Sequence, residues 1–121
     1  MSNLTFKQVH DINVSRCKKW HSHNDEWTGA DWSNAVAGEV GEMCNVVKKI
    51  RRDDFNNKGS RDPDRATLLQ MLADEMADVF LYLDLLSEFY NIDLPDAITS
   101  KFNRVSEQEG FSEWIGLRRK G

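Results

Sequence analysis

The sequence lacks a long hydrophobic run, a secretion signal, an excess of basic residues and a patterned pair of cysteines. Its apolar stretches fall short of the roughly 18 residues that a membrane helix needs, so we expect no membrane partner. The first ten residues, MSNLTFKQVH, do not have the charged-then-apolar layout of a secretion signal. A net charge of −4, from 16 basic and 20 acidic residues, does not favour binding to nucleic acid.

Only two cysteines are present, and their spacing fits no common disulfide or metal pattern. We interpret Cys17 and Cys44 as reduced thiols of the core and expect a cytoplasmic protein. The chain has 121 residues, of which 30% are charged and 40% hydrophobic. These values suit one small folded domain over residues 1–121.

Strand signals are almost absent, and the hydrophobic residues instead recur with a helical period. We predict an all-α fold with helices at about residues 4–20, 31–52, 63–90 and 95–107. A hydrophilic, mobile connector over residues 53–62 separates the second and third helices in this prediction, and residues 108–121 form a tail. Three acidic residues mark predicted helix starts, as N-caps or ahead of a proline: Asp31, Asp62 and Asp93.

Two pairs of acidic residues lie in the middle of apolar helix faces. On a helical wheel, Glu39 and Glu42 of GEVGEMCNVVKKI fall inside the apolar stripe of the second helix, and Glu75 and Asp78 of LADEMADVFLYLDLL do the same on the third. Burying one ionised carboxylate without a partner costs several kcal/mol. Four such groups need cations or raised pKa values. A hard divalent cation such as Mg²⁺ resolves this most simply.

Other interpretations of the acid pairs exist. One pair alone is typical of a solvated face or of salt bridges, but two pairs on the apolar stripes of consecutive helices favour the metal. A di-iron bundle requires Glu-x-x-His pairs, whereas every histidine precedes the second helix: His10, His21 and His23. Ligands that are all oxygen favour Mg²⁺, with Mn²⁺ as a substitute.

At these residues the chain resembles the all-α nucleoside triphosphate pyrophosphohydrolases, the MazG-like and dCTP-pyrophosphatase group. The similarity spans about Asp31 to Glu107 and includes NIDLPDAITSKFNRVSE besides the two acidic segments. It implies a four-helix MazG-like bundle assembled as a homodimer or homotetramer. It also implies hydrolysis of a (deoxy)nucleoside triphosphate to the monophosphate and pyrophosphate, in nucleotide-pool house-cleaning. The Mg²⁺ ligands that the resemblance implies are Glu39, Glu42, Glu75 and Asp78.

Further roles follow from the chemistry of such a substrate. Glu39 or Glu42, where not fully used by metal, could orient or deprotonate the attacking water. Phosphate oxygens need cations, although each basic candidate could instead be an ordinary surface charge. The phosphate-binding candidates are Lys48, Lys49, Arg51, Lys101 and Arg104.

Base recognition must come from other residues. Asn13, near the centre of the first helix's apolar face, could read a base edge while Trp20, Trp27 or another tryptophan stacks on the ring. The alternative is a buried asparagine bonded to the backbone, with tryptophans that fill the core. Tyr82, one turn after Asp78, is placed to line the site, as the family match also suggests.

The third helix also carries apolar residues away from its acidic stripe, among them Met76 and Leu83. Such surplus apolar surface predicts burial against another copy of the chain. A second function class stays open at this point. The acids could bind metal or a basic partner in a helical module without turnover.

Overall fold

The computed structural model describes residues 3–20 and 26–118, so His21, His23 and the last three residues of the predicted tail lie outside the described part. Within those ranges the chain forms four helices and no strand: α1 (Phe6–Trp20), α2 (Gly29–Asp54), α3 (Arg65–Phe89) and α4 (Leu94–Glu109). The predicted all-α fold class is therefore confirmed. Every helix end lies within two residues of its predicted position. None of the helices in the described ranges is long and apolar enough to span a membrane.

The start of α2 is fixed by a capping box. The Thr28 hydroxyl accepts from the Asp31 backbone N–H at 3.4 Å, and the Asp31 carboxylate accepts from the Thr28 N–H at 2.8 Å. Asp31 therefore occupies position N3 rather than the N-cap, and the prediction that it caps the helix is wrong. The helix begins earlier because a threonine in extended conformation precedes it.

The start of α3 also differs from the prediction. Its N-cap is Asp64, whose carboxylate accepts from the Thr67 backbone N–H at 2.9 Å. Asp62 instead binds the guanidinium of Arg52 through Nε and Nη2, at 2.9 and 2.8 Å, and accepts from the Gly59 N–H at 3.0 Å. The connector is thus hydrogen-bonded to the end of α2, while its predicted mobility stays a prediction.

Contacts at both ends show that α2 and α3 form an antiparallel hairpin. At one end, Arg65 at the start of α3 binds Asp53 and Asp54 at the end of α2. At the other end, the Tyr90 ring that follows α3 lies so close to Gly29 that a Cβ at this position would overlap the tyrosine hydroxyl. Glycine permits this approach because it has no side chain. This hairpin is the main packing unit of the fold.

The other two helices are attached differently. α1 packs on α3, where the Phe6 and Phe80 rings lie 5.7 Å apart. The N-cap of α4 is Asp93, as predicted, and α4 makes few contacts with the other helices among the described residues. The tail folds back on α4 instead, since the Asn103 amide pairs with the backbone N–H and C=O of Ile115 at 2.8 and 3.0 Å.

The hydrophobic core of the single chain is small. In the described ranges the buried hydrophobic side chains are Trp32, Val46 and Leu68. The chain exposes 9364 Å², whereas a compact monomer of 14.0 kDa exposes about 6,700 Å² on the usual size scaling. Much apolar surface is therefore uncovered, including Met76 and Leu83.

Candidate active site

Three acidic side chains meet halfway along the α2–α3 hairpin, and a fourth, the exposed Glu42, lies beside them. Glu39, Glu75 and Asp78 each offer one carboxylate oxygen, and these three atoms lie within 4.8 Å of one another. The Glu42 carboxyl lies close enough to hydrogen-bond Glu39 and Glu75 when one partner is protonated. Because the helices are antiparallel, the earlier acid of α2 faces the later acid of α3. We refer to these four residues as the acidic cluster.

Basic side chains of the described residues do not neutralise the acidic cluster. Among the described residues, no lysine, arginine or histidine forms an ion pair with any of its four members. Burial raises the pKa of Glu39, and the neighbouring Glu42 and Asp78 charges raise it further. Burial and the Glu42 carboxylate likewise raise the pKa of Glu75. Like charges held together in a partly dry environment thus disfavour the ionised forms.

Two oxygen atoms of the cluster are buried and unpaired. Glu39 Oε2 and Glu75 Oε2 have no hydrogen-bond partner among the residues that the structure describes, although buried polar atoms in proteins are almost always bonded. They come from opposite helices and belong to the same cluster. Convergent carboxylate oxygens without a donor nearby are the ligand type that Mg²⁺ and Mn²⁺ prefer. The residues present therefore fit a hard divalent cation.

A cavity of about 240 Å³ adjoins the acidic cluster on the side of α1. We refer to it as the site pocket. Its wall combines two acids of the cluster with one cation, one amide, two aromatic rings and apolar side chains. The lining residues are Asn13, Arg16, Cys17, Trp20, Glu39, Asp78, Leu81, Tyr82 and Leu85.

Asn13 lies in the wall of the site pocket but is itself 5% exposed. Its amide nitrogen donates to the Leu81 carbonyl at 2.9 Å and to Asp84 Oδ2 at 3.0 Å. Both amide hydrogens are thus used within the protein, as the alternative to base reading expects. If Asn13 contacts the edge of a nucleobase, it must do so through its side-chain carbonyl oxygen. This role stays a prediction.

The aromatic candidates are divided between two places. Trp20 and Tyr82 both line the site pocket, and the Arg16 guanidinium lies over the Trp20 ring at 5.6 Å. Burial, followed by the Glu39 and Asp78 charges, raises the pKa of Tyr82. Trp27 packs edge-on against Trp32, with ring centroids 4.7 Å apart, and is not among the residues lining the pocket.

The predicted phosphate-binding cations are not brought to the acidic cluster within this chain. None of the five lines the site pocket. Arg51 lies over the Phe55 ring at 5.4 Å, and Lys49 lies near Asp62. Lys48, Lys101 and Arg104 are exposed, the last two on α4. Their phosphate role stays a prediction.

Sequence reasoning missed two residues near the site. Arg16 is the cation of the site pocket; it lies three residues after Asn13, and this helical spacing was a usable signal. Asp84 is 4% exposed and binds α1. Its signal was an acid inside the apolar run FLYLDLL. Cys17 lies in the pocket wall, whereas Cys44 is exposed rather than in the core.

Comparison with known proteins adds no family assignment: no protein-family model and no curated protein matches this sequence.

Proposed function

We propose that the protein is a Mg²⁺-dependent nucleoside triphosphate pyrophosphohydrolase of the all-α MazG-like group. In this reaction water attacks the α-phosphorus of a (deoxy)nucleoside triphosphate, and the bond between that phosphorus and the oxygen bridging to the β-phosphorus breaks. The products are the nucleoside monophosphate and pyrophosphate. The observation that carries the proposal is the acidic cluster, in which Glu39 of α2 converges with Glu75 and Asp78 of α3 and two buried oxygen atoms have no hydrogen-bond partner among the described residues.

The acidic cluster would hold the metal through Glu39, Glu42, Glu75 and Asp78. Bound Mg²⁺ would neutralise negative charge on the triphosphate and acidify water beside it. Mn²⁺ would substitute because it prefers the same oxygen ligands. The unpaired oxygen atoms of Glu39 and Glu75 support this role, since a cation would give each a partner.

Glu39 is the first candidate for the general base, with Glu42 as the second. Glu39 faces both the acidic cluster and the site pocket, so it can contact water that lies between metal and substrate. Its raised pKa makes its carboxylate a stronger proton acceptor than an exposed glutamate. The Glu39 carboxylate would thus accept the proton that the attacking water loses.

The site pocket is the proposed place for the nucleoside part of the substrate. Trp20 and Tyr82 place aromatic rings in its wall, and Arg16 places a guanidinium group in the same wall as Glu39. Guanidinium groups bind phosphate through paired hydrogen bonds. Arg16 therefore joins the predicted phosphate-binding cations Lys48, Lys49, Arg51, Lys101 and Arg104.

The proposal includes a homodimer or homotetramer. The chain exposes about 2,700 Å² more than a compact monomer of its mass would. Each partner of an obligate dimer buries about 1,000–2,500 Å², and such interfaces are rich in apolar residues. Exposed Met76, Leu83 and Phe102 supply that kind of surface.

The second candidate is a helical module that binds metal or a basic partner without turnover. One observation favours it, namely that within this chain none of the five predicted phosphate-binding cations lines the site pocket. The two candidates differ in pyrophosphate release, which the module would not catalyse.

The deciding experiment is a panel of canonical and damaged nucleoside triphosphates with Mg²⁺, in which pyrophosphate and orthophosphate are quantified separately. We expect pyrophosphate with at least one substrate. Glu42→Gln and Asp78→Asn should reduce turnover by about 100-fold or more, because each removes a charge at the metal. Asp74→Asn is the matched control, since Asp74 lies on α3 beside the cluster but binds Gln70.

Far-ultraviolet circular dichroism of each variant verifies that helicity is kept. Full activity in Glu42→Gln and Asp78→Asn would refute the metal assignment. Absence of pyrophosphate from every substrate, together with Mg²⁺ binding that depends on the four acids, would favour the non-catalytic module.

A further inference from the structure

His10 on α1 bridges two carboxylates of α3. Its Nδ1 lies 2.8 Å from Asp84 Oδ1, and its Nε2 lies 2.9 Å from Glu88 Oε2. The second oxygen of Asp84 accepts from Asn13 at 3.0 Å. His10, Asn13, Glu88 and the buried Asp84 are thus joined in one chain of hydrogen bonds. His10 lies three residues before Asn13 on α1, and Arg16 of the site pocket lies three residues after it.

Both hydrogen bonds of His10 can form at the same time only in one protonation state of its imidazole ring. A neutral imidazole has one N–H donor, whereas the imidazolium has two. Both partners are carboxylates, which accept hydrogen bonds when ionised. The bridge between Asp84 and Glu88 is therefore complete only when His10 carries a positive charge.

The surroundings of His10 contain further charges on each element that packs there. Lys7 and Asp11 lie on α1 itself and pair with each other at 2.8 Å. Asp84 and Glu88 face it from α3, and Asp93 at the start of α4 lines the same cavity. Acidic groups outnumber basic ones, so the protonated form is favoured: hydrogen bonding to Asp84 above all raises the pKa of His10.

His10 and Asn13 supply polar attachments of α1 to α3. Of their four side-chain hydrogen bonds, three end on Asp84 or Glu88 and one ends on the Leu81 carbonyl. Phe6, at the start of α1, is 45% exposed despite its contact with Phe80. A neutral His10 keeps a single N–H, so it can donate to Asp84 or to Glu88 but no longer to both.

We propose that protonated His10 is a pH-dependent clamp and a positioning residue, which holds α1 on α3 and so sets the wall of the site pocket. α1 supplies Arg16, Cys17 and Trp20 to that wall. When His10 loses its proton, the bridge to Glu88 or Asp84 breaks and α1 loosens. Ligand affinity at the site pocket then falls while the α2–α3 hairpin with its acidic cluster stays folded.

The direction in which pH changes the stability of the clamp follows from the difference in proton binding between the folded and unfolded chain. His10 binds its proton more tightly in the folded chain than in the unfolded chain, where its ordinary value is 6.5. The clamp is fully present below that value and is lost as the pH rises through the raised folded-state pKa. Raising the pH therefore detaches α1, and lowering it does not.

Amide hydrogen exchange of the full chain without added metal tests the clamp directly. Exchange is measured by mass spectrometry from about pH 5 to about pH 9 and corrected for intrinsic chemical rates. We expect the protection of α1 peptides, relative to α2 peptides, to fall severalfold as the pH rises. In His10→Asn, which keeps a neutral donor, and in Glu88→Gln, the ratio should already be low at about pH 5 and should change little.

Lys7→Gln is the matched control because it removes a positive charge from the same helix without touching α3. It should keep the pH-dependent ratio of the native protein. A ratio that does not change with pH in the native protein would overturn the proposal, as would an unaltered pH profile in both His10→Asn and Glu88→Gln.

The link to the pocket rests on the proposed function, and its readout is separate. With an active nucleotide, His10→Asn should raise KM severalfold at about pH 6 and leave kcat nearly unchanged. Protection of α1 that depends on pH without any nucleotide turnover would contradict the proposed function alone. Turnover with an unchanged KM in His10→Asn would contradict the positioning role alone.

Discussion

Glu39 on α2 and Glu75 on α3 each bury one carboxylate oxygen that has no hydrogen-bond partner in residues 3–20 and 26–118, and both belong to a single cluster of acids. The two residues come from different helices, so burying these oxygen atoms destabilises the packing of α2 against α3. We therefore expect stability and cation binding to be coupled, because a cation that binds the folded state alone would stabilise it.

This coupling predicts a pH-dependent stability. Glu39 and Glu75 bind protons more tightly in the folded chain, since burial and neighbouring charges raise their pKa values above the ordinary 4.5. The folded state then carries more protons than the unfolded state, so the free energy of unfolding falls as the pH rises through the raised values. The Tm of the protein in a chelator should decrease from about pH 5 to about pH 8.

Mg²⁺ should reverse that decrease. Its stabilisation should be large at about pH 8, where the acids are ionised, and small at about pH 5, where protons compete. Glu39→Gln combined with Glu75→Gln should remove the Mg²⁺ effect and reduce the pH dependence of Tm to the part that His10 contributes. A Tm at pH 8 that does not respond to millimolar Mg²⁺ would contradict the metal site.

Arg16 should govern substrate affinity. A hydrogen bond between charged groups contributes about 1.5–3 kcal/mol, so Arg16→Gln should raise KM for the active nucleotide by about tenfold or more, with a smaller change in kcat. Lys18→Gln is the control, because Lys18 is an exposed cation on the same helix. Equal effects of the two variants would show that only the general charge of α1 matters.

Leu68 should be the most sensitive apolar position of α3. It is 0% exposed, and Leu→Ala substitutions at such sites cost about 2–5 kcal/mol. Leu69, the next residue, is 48% exposed, and a surface change of this kind alters stability by about 0.5 kcal/mol or less. Urea denaturation of Leu68→Ala and Leu69→Ala measures the difference. A loss at Leu69 that depends on protein concentration would instead place it in a subunit interface.

Light scattering at micromolar concentration should give a mass of about twice or four times 14.0 kDa. The physical reason is the small core of the single chain together with its exposed apolar side chains. A species of 14.0 kDa at that concentration would contradict the homo-oligomer.

The helices and the acid pairs could be predicted from the sequence because both depend on local spacing. Glu39 and Glu42 share a face through the helical period alone, and the same holds for Glu75 and Asp78. The antiparallel arrangement of the two helices then brings the pairs together.

Features that depend on non-local contacts could not be predicted in the same way. Asp62 and Asp64 are equally good N-caps by residue type, and the choice is decided by Arg52, ten residues before Asp62, which binds that aspartate. The hydrophobic period of α3 likewise does not predict which of its faces packs against α1. His10 and Asp84 lie 74 positions apart in the chain, so their pairing is visible only in the folded structure.

The position of the acidic cluster also has a consequence for the speed of folding. α2 and α3 are neighbours in the chain, and the hairpin between them is the largest contact surface, so it is the part expected to assemble first. Closing it brings four negative groups together before α1 can dock. Refolding should therefore accelerate in acid or with divalent salt, and stopped-flow fluorescence with Glu39→Gln and Glu75→Gln would reveal whether repulsion sets that rate.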